Sequence, residues 1–431
     1  MADADTIFAV ASGAGQAAVA VMRLTGPGAS HLVAGLCGGC PPPRLASLRR
    51  LRDGRGETLD QALVLWLPGP RSYTGEDSAE LHLHGGMSVI DGVSERLQEL
   101  GGRPAEPGEF TRRAFLHGRM DLLQAEAVAD LIAAETAAQR RQAIRQLGGA
   151  LGRIYQGWAD RLLHLLAQQE ALIDFPDEHL PTGTESAMLA EAASLQQEIF
   201  RHLSDDRRGE RLREGLVFAI AGAPNVGKST LINALAGREV AIVAPRPGTT
   251  RDVLEARVLL AGVPVTLLDT AGLRETDDPV EAEGVRRARA RTRAADLVIE
   301  MREGFGEEVL PDGAARRLVV ASKADLGLAA PGADMRVSAV TGMGMERLRA
   351  ALEGIARELT ASSGPPPLTR ARHRAALTDA AAALAQALKA DMPELRGEDL
   401  RRALADLGRI TGHVGAEEVL GSIFAQFCIG K

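Results

Sequence analysis

The sequence predicts a chain built from α/β and all-α parts. We expect an N-terminal α/β domain, followed by a discontinuous helical domain into which a doubly wound α/β domain is inserted. Short β-rich runs alternate with Gly/Pro turns over residues 1–118. Amphipathic helical patterns fill residues 119–212 and 365–431, and apolar strands alternate with helical patterns over residues 213–364. A chain of 431 residues is long enough to hold these domains.

The N-terminal domain is predicted from the β-rich runs AAVAVMRL, ALVLWLP and AELHLHG, with one helix near Val89 to Leu100. In the helical domain, apolar side chains recur at three- and four-residue spacing and indicate one face of a long helix. These side chains are Leu147, Leu151, Ile154, Trp158, Leu162 and Leu165. We therefore expect one long helix that includes all six of these residues.

Further helices complete the helical domain. A break at Pro176 and Pro181 leads into a second helix, which we expect to run to about Leu212. Two more patterns cover Ala375 to Lys389 and Gly397 to Leu407. Neither flanking segment contains enough apolar residues for a core of its own, so we expect the two segments to pack together around the inserted domain.

Composition is that of an ordinary globular protein, with 45% hydrophobic and 25% charged residues. No apolar run is long enough for a transmembrane helix, and Asp3 and Asp5 stand where a signal peptide needs positive charge. We therefore expect a cytoplasmic protein. Cys37 and Cys40 form a CxxC in a Gly/Pro loop, for which a plain loop is the main interpretation and a redox or metal role the alternative. The net charge of -7 means that any RNA contact must use local basic patches.

A predicted buried strand, Leu216 to Ala221, leads into GAPNVGKST, which matches G-x-x-x-x-G-K-[ST]. Backbone N–H groups of such a loop face phosphates, Lys228 adds a positive charge, and the Ser229 hydroxyl is a ligand for Mg²⁺. The following LINALAG begins a helix whose N-terminus also favours an anion. The expected contacts from this loop are Asn225, Val226, Gly227, Lys228, Ser229 and Thr230.

Two further motifs follow in the order typical of phosphate-binding switch regions. Thr250 in PGTTRD is expected to join Ser229 as a Mg²⁺ ligand and to approach the γ-phosphate. Asp269 in LLDTAG ends a second buried strand near the metal, and the Gly272 amide can sense the γ-phosphate. The expected contacts are Ala244, Pro245, Arg246, Pro247, Gly248, Thr249, Thr250, Asp269, Thr270, Ala271 and Gly272.

The last pair of motifs selects the base. The Asp325 carboxylate in SKAD can accept two hydrogen bonds from guanine that adenine cannot donate, and VSA fits the loop behind the base. The expected contacts are Ser322, Lys323, Ala324, Asp325, Ser338, Ala339 and Val340. The ordered set predicts an inserted Ras-like P-loop GTPase domain. Leu273 stands where Ras-like proteins carry the Gln that orients the attacking water, so catalysis must use another polar group.

These elements, with MRLTGP, YTGEDSAELHLHGG, GEFTRRAFLHGRMDLLQAEAVADLI and the final FCIGK, resemble the MnmE (TrmE) tRNA-modification GTPase family over essentially the whole chain. The resemblance implies a homodimer formed through the N-terminal domain and a heterotetramer with the flavoprotein MnmG. It also implies addition of a carboxymethylaminomethyl or aminomethyl group to carbon 5 of the wobble uridine of certain tRNAs. The alternative is a regulatory GTPase switch in ribosome assembly, but no KH-like module or strongly basic tail occurs.

The resemblance further implies a one-carbon donor of the formyl-tetrahydrofolate type, bound by Arg23, Glu80, Arg119 and Lys431. Arg119 replaces the usual lysine, which keeps the charge but changes the geometry. The alternative for Arg23 and Glu80 is a simple ion pair at the sheet surface. Cys428, beside Lys431, is either a reactive thiol or a small apolar packing residue.

For hydrolysis, the resemblance implies a K⁺ ion that takes the place of an arginine finger. Its expected ligands are Asn225, Ala244, Arg246 and Thr249, and the expected catalytic residue is Glu281, whose alternative role is an exposed carboxylate at a helix start. Ser322 replaces the usual Asn of the guanine motif. Glu300 lies in a strand that is usually apolar, for which the sequence offers no explanation.

Overall fold

The computed structural model describes residues 5–13, 15–174, 183–237, 255–269, 295–303, 316–327, 332–361, 365–412, 423–424, 427 and 430. The chain divides into two compact units. The first combines residues 1–129, 146–178 and 390–431, and the second combines residues 130–145 and 179–389. Each unit therefore contains part of the predicted helical domain, and the four predicted domain bounds stay a prediction.

A six-stranded sheet forms the centre of the N-terminal domain. Its strands are β1 (Ile7–Val10), β2 (Ala17–Thr25), β3 (Ser47–Arg52), β4 (Thr58–Leu67), β5 (Ser78–Gly85) and β6 (Arg103–Pro104). The spatial order is β3-β4-β5-β2-β1-β6, with only the β1–β6 pair parallel. The three predicted β-rich runs are β2, β4 and β5.

The two faces of this sheet differ because side chains alternate along each strand. One face packs against helices α1 (Ala29–Cys37) and α2 (Met87–Glu99) around a core that includes Met22, Leu24 and Leu81. The predicted helix is α2, and α1 was not predicted. On the opposite face, helix α3 (Glu109–Leu116) packs Phe110 against the β1 residues Ile7 and Ala9. The same face carries the paired residues Arg23 and Glu80 on β2 and β5.

The helical domain consists of helices before and after the inserted domain. They are α4 (Leu122–Ala133), α5 (Ala137–Leu147), α6 (Ala150–Asp174), α7 (Thr184–Leu203) and α8 (Arg208–Glu214), then α11 (Ala371–Ala387) and α12 (Pro393–Thr411). In the first unit α12 packs on α6, and in the second α11 packs on α7. The prediction that segments from the two flanks pack together is confirmed.

Two predicted helix boundaries were wrong. Leu147 ends α5 and is not part of α6, because the backbone turns at Gly149, whose φ is 76°. The buried stripe of α6 is Leu151, Tyr155, Trp158, Leu162, Leu165 and Gln169. The second predicted helix also breaks in two, since Asp206 and Arg207 adopt positive φ values of 52° and 57° between α7 and α8. Neither residue is a type that marks a helix end by itself.

The inserted domain contains a second six-stranded sheet. Its strands are β7 (Leu216–Gly222), β8 (Glu255–Leu260), β9 (Val263–Asp269), β10 (Leu297–Arg302), β11 (Arg317–Ala321) and β12 (Met335–Arg336). They lie in the order β12-β11-β10-β7-β9-β8, and only β8 is antiparallel to its neighbour. Helices α9 (Lys228–Ala236) and α10 (Met345–Thr360) contribute to its core. The predicted α/β topology is confirmed.

No helix within the described residues has both the length and the apolar character needed to cross a membrane.

Candidate nucleotide site and N-terminal pocket

The parallel strands of the inserted domain bring three predicted motifs to one edge of the sheet. β7 ends at Gly222, where GAPNVGKST begins, β9 ends at Asp269, and β11 ends one residue before Ser322. The carboxyl ends of parallel strands share one edge, and ligands of open α/β sheets bind beside that edge. Motifs separated by up to about a hundred residues in the sequence therefore face one location.

The loop between β7 and α9 has the backbone geometry of a phosphate cradle. Gly222 has φ 151°, and a Cβ there would lie 2.5 Å from the Met301 carbonyl oxygen, so only glycine fits. Gly227 and Asn225 also have positive φ values, 102° and 62°. Lys228 is buried, and its Nζ donates to two carbonyl oxygens at the start of the loop, that of Gly222 at 2.9 Å and that of Ala223 at 3.0 Å. Its ammonium group is therefore held over the loop.

Two of the three side chains expected at the metal site are in contact. Ser229 Oγ donates to Asp269 Oδ2 at 2.9 Å. Asp269 is 4% exposed at the end of β9, whereas Ser229 faces solvent in the first turn of α9. A hydroxyl and a carboxylate oxygen are hard ligands of the kind that Mg²⁺ prefers. These residues therefore fit a Mg²⁺ ion.

The two guanine motifs also meet in space. The Ala324 N–H donates to the Val337 carbonyl oxygen at 3.0 Å, which joins the SKAD loop to the VSA loop. Lys323 has φ 51° and its ammonium contacts the Glu303 carboxylate at 2.6 Å. Asp325 lies in a short 3-10 turn, Ala324–Leu326, and faces solvent. Its carboxylate is therefore accessible to a base.

Glu300, which looked misplaced in the sequence, forms a buried ion-pair cluster. It is 1% exposed on β10, and its two oxygens each lie 2.6 Å from an arginine Nε, of Arg302 and Arg317 respectively. Arg302 stands two residues later on the same side of β10, and Arg317 comes from the adjacent strand β11. The Arg302 carbonyl oxygen accepts hydrogen bonds from the backbone N–H (2.8 Å) and the hydroxyl (3.2 Å) of Ser322. The cluster therefore supports the start of the guanine loop, where Ser322 replaces the usual Asn.

Several predicted site residues lie outside the described residues. These are Ala244, Pro245, Arg246, Pro247, Gly248, Thr249, Thr250, Thr270, Ala271, Gly272, Leu273, Glu281, Cys428 and Lys431. Their predicted roles stay predictions. Among the described residues of the site, Val226 is buried at the loop, Thr230 is exposed on α9, and Ser338, Ala339 and Val340 follow β12.

The other predicted pair, Arg23 and Glu80, lies on the N-terminal sheet. Arg23 donates to Glu80 Oε1 from Nε at 3.1 Å and from Nη2 at 2.8 Å, with side chains 25% and 21% exposed. The guanidinium also lies over the rings of Tyr73 and Phe110, at 5.4 Å and 6.0 Å from the centroids. His82 Nε2 is buried without a hydrogen-bond partner, 3.9 Å from Glu80 Oε2. The simple ion pair exists, and it sits beside aromatic rings and an unsatisfied polar atom.

The C-terminal segment adjoins this domain in the first unit. A Cβ on Gly430 would lie 2.4 Å from the Val10 carbonyl oxygen at the end of β1. A Cβ on Gly108 would lie 2.7 Å from the Phe424 carbonyl oxygen, so the segment also packs closely on the start of α3. Arg119 is exposed, and its aliphatic stem lies over Gly75. The residue before the predicted Lys431 therefore lies next to the N-terminal sheet.

The GEFTRRAF segment supplies a buried charge network that sequence reasoning missed. Arg113, 1% exposed, donates to Asp5 Oδ1 at 2.7 Å and to Glu109 Oε1 at 3.2 Å. Arg103 donates to the same two carboxylates at 2.6 Å each. Burial alone would raise the pKa of Glu109, but the arginine hydrogen bonds hold it below its usual value. The network ties α3 to the chain start, and Phe110, between Glu109 and Arg113, lies under Arg23.

The CxxC shows no feature of a redox or metal site. Cys37 Sγ donates to the Val33 and Gly39 carbonyl oxygens at 3.1 Å and 3.2 Å, and burial raises the pKa of both Cys37 and Cys40. Within the described ranges, no group of three or more metal-binding side chains occurs. A raised pKa leaves the thiols protonated, which favours the plain-loop interpretation.

The glycine loop before α9, the Ser229–Asp269 contact and the joined guanine loops define a P-loop GTPase of the Ras-like type. The chain belongs to the MnmE family. The profile "MnmE helical domain" matches residues 122–428, and "GTP-binding protein TrmE N-terminus" matches residues 6–119.

The similar proteins extend over the whole chain. A "tRNA modification GTPase MnmE" from Gluconacetobacter diazotrophicus is 60% identical, with 99% of this chain and 98% of that protein covered. Proteins of the same description from Granulibacter bethesdensis and Acidiphilium cryptum are 54% and 52% identical, covering 99% and 100% of each chain. The family inferred from FCIGK and GEFTRRAF is therefore confirmed.

Proposed function

We propose that this chain is a tRNA modification GTPase that acts with the flavoprotein MnmG. The complex adds a carboxymethylaminomethyl or aminomethyl group to carbon 5 of the wobble uridine of certain tRNAs. The observation that carries the GTPase part is the convergence of Gly222, Asp269 and Ser322 at one edge of a parallel sheet. Support for the tRNA part is the similarity over 99% of the chain to proteins described as tRNA modification GTPases.

In this proposal, different residues of the inserted domain bind the phosphates, the Mg²⁺ ion and the base of GTP. Lys228 moves from its loop carbonyl contacts to the β- and γ-phosphate oxygens, because an anionic phosphate is a stronger partner for an ammonium group than a carbonyl. Ser229 and Thr250 hold Mg²⁺, with Asp269 beside them. The ion neutralises charge on the phosphates, as in other P-loop NTPases. Asp325 selects guanine.

The hydrolytic step needs charge stabilisation and an oriented water. We assign the first to K⁺, held by Asn225 with Ala244, Arg246 and Thr249, and the second to Glu281. The exposed, positive-φ conformation of Asn225 supports a role facing the ligand and not the core. The test is steady-state GTP hydrolysis in K⁺ and in Na⁺, for wild type and Glu281→Ala. Equal rates in both salts, or a normal kcat for the variant, would refute this assignment.

The one-carbon donor is assigned to the pocket around Arg23. The Tyr73 and Phe110 rings are suited to stacking on a pterin, and the partly exposed Arg23 and Glu80 are suited to its polar edge or its glutamate tail. The buried, unsatisfied His82 Nε2 is one further polar atom that a ligand can satisfy. Arg119 and Lys431 add positive charge. Calorimetry with a formyl-tetrahydrofolate should detect binding that Arg23→Ala abolishes and that the exposed-site variant Arg55→Ala retains.

A homodimer is proposed through the N-terminal domain. The sheet face opposite α1 and α2 exposes Leu48, Leu63 and Val19, which are 63%, 44% and 52% exposed. Cross-strand pairing places Leu48 beside Leu63 on this face. An apolar patch on a sheet face favours association with a second copy. Light scattering of wild type and of Leu48→Glu/Leu63→Glu should give a dimer and a monomer respectively, and a dimeric variant would count against this surface.

The whole reaction can be tested by reconstitution. The purified chain, MnmG, GTP, K⁺, Mg²⁺ and a formyl-tetrahydrofolate are incubated with an unmodified tRNA transcript that carries uridine at the wobble position. Mass spectrometry of the digested nucleosides should detect the modified uridine. Omission of the folate, or replacement of wild type by Lys228→Ala, should remove it. Modification that persists without either component would contradict the proposal.

A further inference from the structure

Helix α5 has two faces of different chemistry. Its inner face is held by amide groups, since Gln139 and Gln142 donate to the carbonyl oxygens of Arg213 (3.2 Å) and Gly209 (3.0 Å) on α8. Ala143, four residues after Gln139, is also buried, at 2% exposure. The outer face consists of exposed residues at positions three and four apart, Arg140, Arg141, Ile144 and Arg145.

The start of α5 is fixed by a capping box. The Thr136 hydroxyl accepts from the Gln139 backbone N–H at 3.2 Å, and the Gln139 side-chain oxygen accepts from the Thr136 N–H at 3.2 Å. The same Gln139 side chain uses its amide nitrogen to reach α8. The outer face is therefore presented on a backbone whose position is set before any partner binds, which lowers the entropy cost of binding.

The arginines on the outer face are not matched by acidic residues. Helix α5 contains no Asp or Glu, and no guanidinium group of its outer face forms an ion pair within the part of the chain that the structure describes. The arginines at the start of the adjacent helix α8 behave differently, because Arg207, just before the helix, pairs with Glu210 at 2.7 Å, and Arg208 pairs with Asp206 at 3.1 Å. In a chain of net charge -7, three clustered unpaired arginines stand out.

We propose that the outer face of α5, defined by Arg140, Arg141, Ile144 and Arg145, binds the phosphate backbone of tRNA. This inference rests on the proposed function for the identity of the RNA. Guanidinium groups match phosphate oxygens in geometry and charge. From Arg140 to Arg145 the helix rises about 7.5 Å, so the long side chains can reach neighbouring phosphates of one strand. Ile144, 51% exposed, provides apolar contact between them.

The contact is independent of base sequence, because phosphates carry no sequence information. Each neutralised phosphate releases bound counterions, and the logarithm of the binding constant falls with the logarithm of salt concentration by about 0.7 to 0.9 per contact. Loss of three contacts should therefore reduce this slope by about 2 to 3. Over the range from 50 to 200 mM salt this corresponds to a change on the order of 20- to 40-fold in relative affinity.

The test uses full-length protein and a fluorescent, unmodified tRNA transcript, with anisotropy measured at several KCl concentrations. Wild type is compared with Arg140→Gln/Arg141→Gln/Arg145→Gln. The matched control is Arg55→Gln/Arg201→Gln/Arg347→Gln, which removes the same charge from scattered exposed arginines that form no described ion pair. A third variant with lysine at the three α5 positions keeps the charge.

The proposal predicts that the α5 glutamine variant binds at least about tenfold more weakly at 0.1 M KCl, with the smaller slope, while the scattered control resembles wild type. The lysine variant should recover most of the slope. Equal effects of the two glutamine variants would overturn the proposal. So would normal tRNA binding combined with loss of MnmG binding in a pull-down, which would identify a protein surface. Wild type that binds no tRNA would refute the proposed function itself, a result distinct from a selective α5 defect.

Discussion

Replacement of Arg113 by Met tests the charge network that joins α3 to the N-terminal sheet. Methionine keeps most of the apolar stem and removes the guanidinium, so packing changes little while the charge is lost. Arg113 is 1% exposed and contacts three acidic residues, Asp5, Glu76 and Glu109. After the replacement, Arg103 alone pairs with Asp5 and Glu109, and Glu76 loses its described cation partner.

The magnitude follows from the burial of the acids left behind. The Asp5 carboxylate is 43% exposed, so water can hydrate it once the guanidinium is gone. Glu109 and Glu76 are only 1% and 13% exposed, so water hydrates their carboxylates poorly. Removing one partner of a buried ion pair typically costs about 3–5 kcal/mol. Because Arg103 still donates to Glu109 at 2.6 Å, we expect the lower end, about 3 kcal/mol. For a unit of roughly 200 residues this lowers Tm by about 6–12 °C.

Differential scanning calorimetry of the full chain measures this change. Arg55→Met is the matched control, because Arg55 is exposed in the β3–β4 turn and its side chain forms no described ion pair. We expect the Tm of the first unit, which contains this network, to fall in Arg113→Met. In the control, the Tm should stay within about 2 °C of the wild-type value. If Arg113→Met and Arg55→Met have the same Tm, the network does not stabilise this domain and the reasoning is refuted.

Acid provides a second test of the same network. The hydrogen bond from Arg103 lowers the pKa of Asp5, and arginine hydrogen bonds keep the pKa of buried Glu109 low. A lowered folded-state pKa gives stability that is present above the unfolded value of about 4 and is lost as pH falls through the folded value. The difference in Tm between wild type and Arg113→Met should therefore be constant near neutral pH and shrink below about pH 4. A Tm difference between the two proteins that grows below about pH 4 would contradict the lowered pKa values of these carboxyl groups.

Three further changes test other contacts. Asp325→Asn should shift nucleotide preference from guanine to xanthine, measured by competition binding, and an unchanged preference would remove Asp325 from the base site. Ser322→Ala removes the hydrogen bond from the Ser322 hydroxyl to the Arg302 carbonyl oxygen, which is worth about 1 kcal/mol. GDP binding, measured by calorimetry, should therefore weaken by about fivefold. An affinity equal to that of wild type would show that this hydrogen bond is dispensable. Gly430→Ala places a Cβ 2.4 Å from the Val10 carbonyl oxygen and should speed proteolysis of the C-terminal segment, an effect that the exposed-site change Gly56→Ala should not reproduce.

The described part of the nucleotide site was predictable because its signals are local. Each motif occupies fewer than ten residues, and the alternation of strands and helices places GAPNVGKST, LLDTAG and SKAD at the carboxyl ends of parallel strands. The ion-pair cluster of Glu300 was not predicted, although part of it is local. Glu300 and Arg302 are two residues apart and so share one side of β10, but the second arginine, Arg317, depends on the neighbouring strand.

The features that sequence reasoning missed depend on distant contacts. The break between α7 and α8 contains no proline or glycine. Asp205 there accepts hydrogen bonds from Arg374 at 2.6 Å and from the Leu368 N–H at 3.1 Å, residues more than 160 positions away. Tertiary contacts therefore accompany a break that local helix propensity would not place there. Likewise, the GEFTRRAF segment identified the family, but its part in a buried charge network is visible only in the structure. There Arg113 of this segment donates to Asp5, which lies 108 residues earlier in the sequence.

The most direct test of the central claim is nucleoside mass spectrometry of tRNA from cells that lack this gene. The deletion is complemented with wild type, with Lys228→Ala, or with the scattered control Arg55→Gln/Arg201→Gln/Arg347→Gln. The account predicts that the C5-modified wobble uridines disappear in the deletion, return with wild type and the control, and stay absent with Lys228→Ala. Wobble uridines that remain modified in the deletion, or that Lys228→Ala restores, would contradict a GTP-dependent role in tRNA modification.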